Sequence, residues 1–355
     1  MKVKALLFII IIQCIFYSCS ENSADSVDSV DKVEYIELNH SDLTINVGDK
    51  ETLVVVKAPS TNETLVWSSD NELVATVFNG IVTAHQSGAA TITAGLGNLK
   101  VDCKVTVPER TYQLVWSDEF DGTELNTDNW TYEVDGNGGG NNEKQYYTDR
   151  AENIRVENGV LTIEARKENY ENREYTSARI ITKDKQDFTY GKIEARLKVP
   201  SGRGTWPAFW MLGYGSWPRA GEIDIMEHVG YEPTKFHCAL HTRNRNGLNG
   251  QNFHGSQDFT ENVSNEFYTI TMEWVEKEIF GFDRIHIYVD GVKTKTFGET
   301  SQLQESGDWP FNKDFFFILN LAIGGQWGGA EGIDDTMFDN KVLFEVDYIR
   351  VYQLN

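Results

Sequence analysis

Glu222-Ile223-Asp224-Ile225-Met226-Glu227 alternates carboxylates with apolar side chains. That is the period-two pattern of a strand with one face in a core and the other lined by acids. Residues two apart on a strand share a face, so Glu222 and Asp224 point together. Glu227 is five positions from Glu222 and would point into the core, where an unpaired carboxylate costs several kcal/mol. One extra residue, a β-bulge near Ile225-Met226, returns Glu227 to the acidic face and shortens the span between the outer acids. Trp206-Pro-Ala-Phe-Trp210 lies just upstream, and Trp217 lies between the two segments. In strand phase Trp206, Ala208 and Trp210 share one face, while Phe209 and Met211 take the other.

Acids beside aromatic plates suit one chemistry in particular. Aromatic rings stack on the apolar faces of pyranose sugars while their polar edges stay wet. Glycoside cleavage needs two carboxyl groups flanking one bond, ~5–5.5 Å apart in retaining enzymes and ~6.5–9.5 Å apart in inverting ones. Two glutamates leaning together from one bulged strand favour the shorter gap. The expected roles are Glu222 as nucleophile and Glu227 as general acid, then base. The charge of Asp224 between them helps keep Glu227 protonated. The competing reading is an ordinary strand with a charged solvent face. Three acids with no Lys or Arg among them argue against it, since unpaired like charges repel. Trp217, in a Gly-Ser-Trp-Pro loop, is expected at a cleft rim.

Two further features need weighing. His237 and His241 share a strand face if 236–241 is extended. No third ligand is evident for a metal, so His241 is read as a hydrogen-bond partner for substrate or carboxylate. The run Asp135-Gly-Asn-Gly-Gly-Gly-Asn-Asn-Glu143 lacks the Gly-Lys-Ser/Thr of a phosphate loop. It fails as a calcium loop because Tyr146 stands at position twelve. It reads as a rim loop in which Asn141 and Asn142 offer hydrogen bonds to sugar hydroxyls. Gly324-Gly-Gln-Trp-Gly-Gly329 is a second such loop.

Composition supports an all-β protein. Glycine and aromatics are plentiful, helical Ala/Leu/Glu/Lys runs are absent, and β-branched and aromatic residues recur in short alternating runs. The formal net charge is −22, which disfavours nucleic acid and anionic lipid surfaces as partners. It modestly disfavours sulfated polysaccharides and leaves neutral glycans indifferent. Arg203, Arg219, Arg243 and Arg245 keep a sulfated-galactan hydrolase open.

The N-terminus carries Lys2 and Lys4, then an apolar stretch from Ala5 to about Tyr17. That is short for a membrane span and fits an export signal over 1–18. Ser18-Cys19-Ser20 is similar to a bacterial lipoprotein signal with a relaxed lipobox, departing from it at Phe16-Tyr17. Cys19 would then be lipidated, 19–32 would be a tether, and the product would sit at the cell surface or outer membrane, touching lipid only through its anchor. A plain secretory signal is the alternative. Cys103 and Cys238 are read as free buried thiols.

Eight strand-like runs between 33 and 107, separated by turn signals such as Asn79-Gly80, suggest a small β-sandwich. Val66-Trp67-Ser68-Ser69, Val74-Ala75-Thr76-Val77 and Gly88-Ala89-Ala90-Thr91-Ile92-Thr93 resemble a bacterial Ig-like group 2 domain over 33–107, read as a spacer. Pro108 marks the boundary, and 111–355 forms one further β-rich domain. Its candidate strands include single runs over 175–181, 205–212 and 315–322.

Residues 112–355 resemble a family 16 glycoside hydrolase of the laminarinase type. The signature is Gly221-Glu-Ile-Asp-Ile-Met-Glu227. Support comes from Trp116-Ser-Asp-Glu-Phe120, Asn141-Asn-Glu143, Ser177-Ala-Arg179, Trp206-Pro-Ala-Phe-Trp-Met-Leu212, Asn320-Leu-Ala-Ile-Gly-Gly325 and Val346-Asp-Tyr-Ile-Arg-Val-Tyr352. The resemblance implies a concanavalin A-like β-jelly-roll whose concave face holds glucan. It implies retaining double displacement by Glu222 and Glu227 with Asp224 assisting, and no cofactor for catalysis. It further implies sugar contacts by Asn141, Arg179, Trp206, Trp210, Trp217, His241 and Gln326, and a structural Ca²⁺ at Glu119, Gly159 and Asp347. Gln326-Trp327-Gly328 departs from the Asn-Trp-Pro common in laminarinases. The expected function is an endo-β-1,3-glucanase, monomeric, acting on β-glucan. The alternatives are a mixed-linkage β-1,3-1,4-glucanase and a non-catalytic glycan-binding jelly-roll.

Overall fold

Short alternating runs of β-branched and aromatic residues bury one face each only by pairing into sheets and stacking those sheets. The computed structural model, which describes residues 33–279 and 281–354, has this arrangement throughout. The expected signal over 1–18, Cys19 and the tether over 19–32 lie outside the described residues. The chain divides between Glu109 and Arg110 into two compact units.

In the first unit Gly88–Leu96 and Leu99–Val107 form a hairpin. Asp42–Thr44 and Leu65–Ser69 flank it in a four-stranded sheet. Lys50–Thr52, Ile81–Ala84 and Ala75–Phe78 make a second sheet. Ile92, Cys103, Val105 and Val82 pack in the core. The segment 50–57 forms two short strands rather than one. Lys50–Thr52 pairs with Ile81–Ala84, and Val55–Lys57 pairs with Glu37–Leu38. Between them Leu53 is buried and its N–H bonds to the Gly80 carbonyl. That inward turn is a long-range contact without a local signature.

The second unit stacks a seven-stranded sheet on a ten-stranded one. The seven strands, in chain order, are β1 (Thr131–Tyr132), β2 (Arg179–Ile181), β3 (Thr205–Gly213), β4 (Glu222–Glu227), β5 (Lys235–His241), β6 (Phe253–Asp258) and β7 (Phe315–Ile323). They lie in the order β1-β2-β7-β3-β4-β5-β6, all antiparallel. Phe209, Met211, Ile223, Ile225 and Met226 from this sheet pack in one core with Ile193, Leu197, Phe344 and Val346 of the other. The thiols of Cys103 and Cys238 are both free and buried.

The run expected as one strand over 175–181 breaks at Ala178, which is fully buried. Arg173–Ser177 belongs to the ten-stranded sheet and Arg179–Ile181 to the seven-stranded one. A strand that changes sheets keeps its alternation, so periodicity alone reads it as continuous. Phe253–Asp258, by contrast, carries too little apolar alternation to be picked out, yet it pairs with β5 from Lys235 to Leu240.

Candidate active site

The bulge lies where the spacing of the acids requires it. On β3, Leu212, Trp210 and Ala208 are successive positions on one face, and they pair with Glu222, Asp224 and Glu227. The register shifts between Phe209 and Trp210, leaving Ile225 as the extra residue. Ile225 and Met226 are both 1% exposed and both in the core, although consecutive. The three acids therefore share the face opposite that core.

The register also sets what surrounds each acid. One lateral row runs Arg179, Asn320, Ala208, Glu227, His237 across β2, β7, β3, β4 and β5. The small side chain of Ala208 separates Asn320 from Glu227. A second row places Trp210 beside Asp224, and a third sets Glu222 between Leu212 and His241. The Trp206 indole donates to Glu227 Oε1 at 3.0 Å. The Trp210 indole donates to Asn320 Oδ1 at 2.8 Å. The Arg179 guanidinium lies 5.0 Å from the centre of the Trp210 ring and 2.5 Å from Glu133.

His241 is fixed from both sides. Its Nδ1 accepts the Gly247 N–H at 3.0 Å. In the neutral ring the proton is then on Nε2. That nitrogen lies 3.2 Å from Asp224 Oδ2 and 3.6 Å from Glu222 Oε1. His237 does different work. It lies 3.0 Å from Glu232 and meets the Trp327 ring edge-on at 5.0 Å, so the two histidines do not converge on a metal.

Burial dominates the electrostatics. It pushes the carboxyls of Glu222, Asp224 and Glu227 each up to about 8. For both glutamates the neighbouring Asp224 charge is part of that rise, second to burial. Against this, His241 and the Trp217 indole favour the ionised form of Glu222, and the Trp206 N–H favours that of Glu227. Buried like charges cannot all ionise together, so the row holds at least one proton at neutral pH. A buried proton donor beside an ionised carboxylate is what acid-assisted displacement requires.

The two glycine-rich loops meet each other. Gln326 N–H bonds to the Asn141 carbonyl at 2.8 Å, and Glu143 bridges to Gly324. Gly328 has to be glycine here, since a Cβ would sit 2.6 Å from the Gly324 carbonyl and 2.8 Å from Trp206 Cβ. This brings Trp327 edge-on to Trp206 at 5.5 Å. The Gln326 side chain is exposed and Asn141 half-buried. Trp217, 38% exposed, lies with its ring 6.1 Å from His241. The candidates for sugar contact thus line one face and its rim.

Four residues missing from that list support it. Glu143 is buried and accepts from Gln145 at 2.7 Å and from Tyr147 at 3.1 Å. Tyr147 in turn accepts from Asn320 at 3.3 Å. Asn320 did have a signal, as the one polar side chain in Phe315–Ile323.

Asp347 lies in the ten-stranded sheet, whereas the acids lie in the seven-stranded one. The strand Tyr112–Asp118 pairs along Val342–Leu354 as far as Asp118↔Ile349, and Val160–Tyr170 pairs with it from Leu161↔Val346. Asp347 and Tyr348 fall in the gap between these two partners, where Glu119 and Gly159 also end up. Topology therefore brings the three main-chain segments together. The carboxylate of Glu119 is held by Arg350 at 2.7 and 2.9 Å, and that of Asp347 by Arg196 at 2.5 Å. Both carboxylates are thus engaged by arginines, which leaves main-chain oxygens as the donors free of such a partner.

Two stacked β-sheets, with a bulged acid row and indoles on one face, define a sugar-cleaving β-jelly-roll. The chain belongs to glycosyl hydrolases family 16, which it matches over residues 141–349. Residues 32–107 match the bacterial Ig-like domain, group 2. It is 44% identical over 274 residues to a beta-glucanase of Rhodothermus marinus, covering 74% of this chain and 94% of that protein. It is 38% identical to a glucan endo-1,3-beta-glucosidase of Cryptopygus antarcticus, over 68% of this chain and 92% of that one. The X-ray structure of the Rhodothermus marinus laminarinase superposes with a TM-score of 0.64 at 43% identity, covering 70% of this chain and all of that one. The chain is accordingly a glycoside hydrolase, and its catalysis needs no cofactor.

Proposed function

We propose that the chain is a retaining endo-β-glucanase cleaving β-1,3-glucan of the laminarin type. The observation that carries this is the bulge at Ile225, which sets two glutamates on one face with indoles alongside. In the first step Glu222 attacks the anomeric carbon while the protonated Glu227 gives its proton to the departing glycosidic oxygen. A glycosyl ester of Glu222 forms and the aglycone leaves. In the second step Glu227, now a carboxylate, takes a proton from water as that water attacks the same carbon, releasing Glu222. The Nε2–H of His241 favours the ionised form of Glu222, while the charge of Asp224 helps keep Glu227 protonated. The Trp206 N–H favours the ionised form of Glu227. Asn141, Arg179, Trp210, Trp217 and Gln326 are assigned to the sugars.

Glu222→Gln is expected to lower turnover on laminarin by ~10⁴-fold or more, with oligosaccharide binding retained. Near-wild-type turnover would favour a glycan-binding protein instead. Product profiles on laminarin, lichenan and curdlan separate the β-1,3 assignment from a mixed β-1,3-1,4 one. The anomer first released, followed by NMR, tests retention.

The reading extends to export, a lipid anchor at Cys19, display at the cell surface and a monomeric state. It also includes a structural Ca²⁺ held by the carbonyls of Glu119 and Gly159 and by Asp347, whose carboxylate would have to turn from Arg196 to the ion. Chelation is then expected to lower Tm by several degrees, reversed by Ca²⁺, and Asp347→Ala to abolish that response. A melting curve indifferent to chelator removes the ion.

A further inference from the structure

We propose that a basic pocket beside the Glu222 end of the cleft binds an oxyanion carried by the glycan, either a sulfate ester or a carboxylate substituent. This rests on the glycanase reading above and adds a substrate feature to it.

The pocket has a volume of about 390 Å³ and is lined by Arg219, Arg243 and Lys313 together with Asp308, Trp309 and Asn312. Its position follows from register. Arg219 lies three residues before Glu222 and Arg243 two after His241, and Glu222 pairs directly with His241. Gly221 closes the gap. Its φ is +86°, and a Cβ there would lie 2.7 Å from Cγ of Pro310, another wall residue.

Its charge is unusual for this chain. The protein carries 54 acids against 32 basic residues. Arg150, Arg155, Arg179, Arg196 and Arg350 are all ion-paired. Arg219, Arg243 and Lys313 are exposed and make no ion pair among the described residues. Three long cations converge on one concavity whose single carboxylate, Asp308, already accepts the Asn244 N–H at 3.0 Å. A second observation is independent of charge. The Trp309 side chain is 5% exposed, and its buried Nε1–H has no acceptor. An unpaired buried donor costs about 1–3 kcal/mol, so a small shift of this wall that opened Nε1–H to a ligand acceptor would recover that cost. Cations with an unsatisfied donor suit an oxyanion better than a neutral hydroxyl, since charged acceptors make the stronger hydrogen bonds.

The test uses the full chain with Glu222→Gln, so that oligosaccharides stay intact. Titration calorimetry compares three laminarin oligosaccharides, neutral, singly sulfated and singly carboxymethylated. The anionic ligands are expected to bind about tenfold tighter than the neutral one, with the preference shrinking in 1 M NaCl. Arg219→Gln, Arg243→Gln and Lys313→Gln together are expected to erase the preference and leave neutral binding within about twofold. Preference for the sulfated ligand alone identifies a sulfate ester as the natural group, and equal preference identifies oxyanions generally. No preference, or equal weakening of all three ligands by the triple variant, overturns the pocket. Turnover of neutral laminarin by the protein with Glu222 intact is measured alongside. Its absence, with the anion preference intact, rejects the β-1,3-glucanase assignment and not the pocket. Its presence without a preference rejects the pocket alone.

Discussion

Each carboxyl in the row works against folding before it works for catalysis. Burial raises Glu222, Asp224 and Glu227 to about 8, while an unfolded glutamate titrates at ~4.3. Between those values the native state binds more protons than the unfolded chain, so stability falls as pH rises through that window. The contribution is greatest below the unfolded value and is lost by the time pH passes the folded one. Glu222→Gln removes one such titration. Its Tm is expected to exceed that of the unaltered protein by ~3 °C or more at pH 8, with the gap closing towards pH 4.5. Melting curves across that range check this, and parallel curves would contradict it. Part of this was readable from residue types alone, because three acids without a basic neighbour must either repel in water or share protons when buried. The tautomer of His241 was not readable. It depends on the Gly247 N–H, supplied by a loop whose path no local pattern reports.

At the scale of one strand, the bulge makes two consecutive side chains core residues. A regular strand would leave one of Ile225 and Met226 facing the cleft, and its truncation would then be nearly neutral. With both buried, Ile225→Ala and Met226→Ala are each expected to cost about 2–4 kcal/mol. Denaturant unfolding of the two variants measures it. A neutral result for either would mean that the strand lacks the kink. The five-residue spacing of the glutamates made this bulge legible. The break at Ala178 was not, because a chain crossing from one sheet to the other keeps its alternation of apolar residues and changes only its partners.

For the whole molecule, separate cores imply separate folding. The first unit packs around Ile92 and Cys103, the second around the interior of its two sheets. A fragment spanning 110–355 is expected to fold alone and to keep kcat/KM on soluble oligosaccharides within about twofold of the full chain. Calorimetry of the full chain should resolve two transitions, one of which survives in the fragment. A fragment that fails to fold would make the first unit part of the second unit's stability.

The acid face, the indole strand and the two β-rich stretches were present in the order of residues. Side-chain alternation and the cost of burying charge are local properties of a segment. The row that joins Arg179, Asn320 and Glu227 was decided only in three dimensions, as were the closure of one glycine-rich loop on the other and the gathering of Arg219, Arg243 and Lys313 at one end of the cleft. These depend on which distant strands pair and in what register. That choice is made by the summed packing of both sheets rather than by any stretch of sequence taken alone.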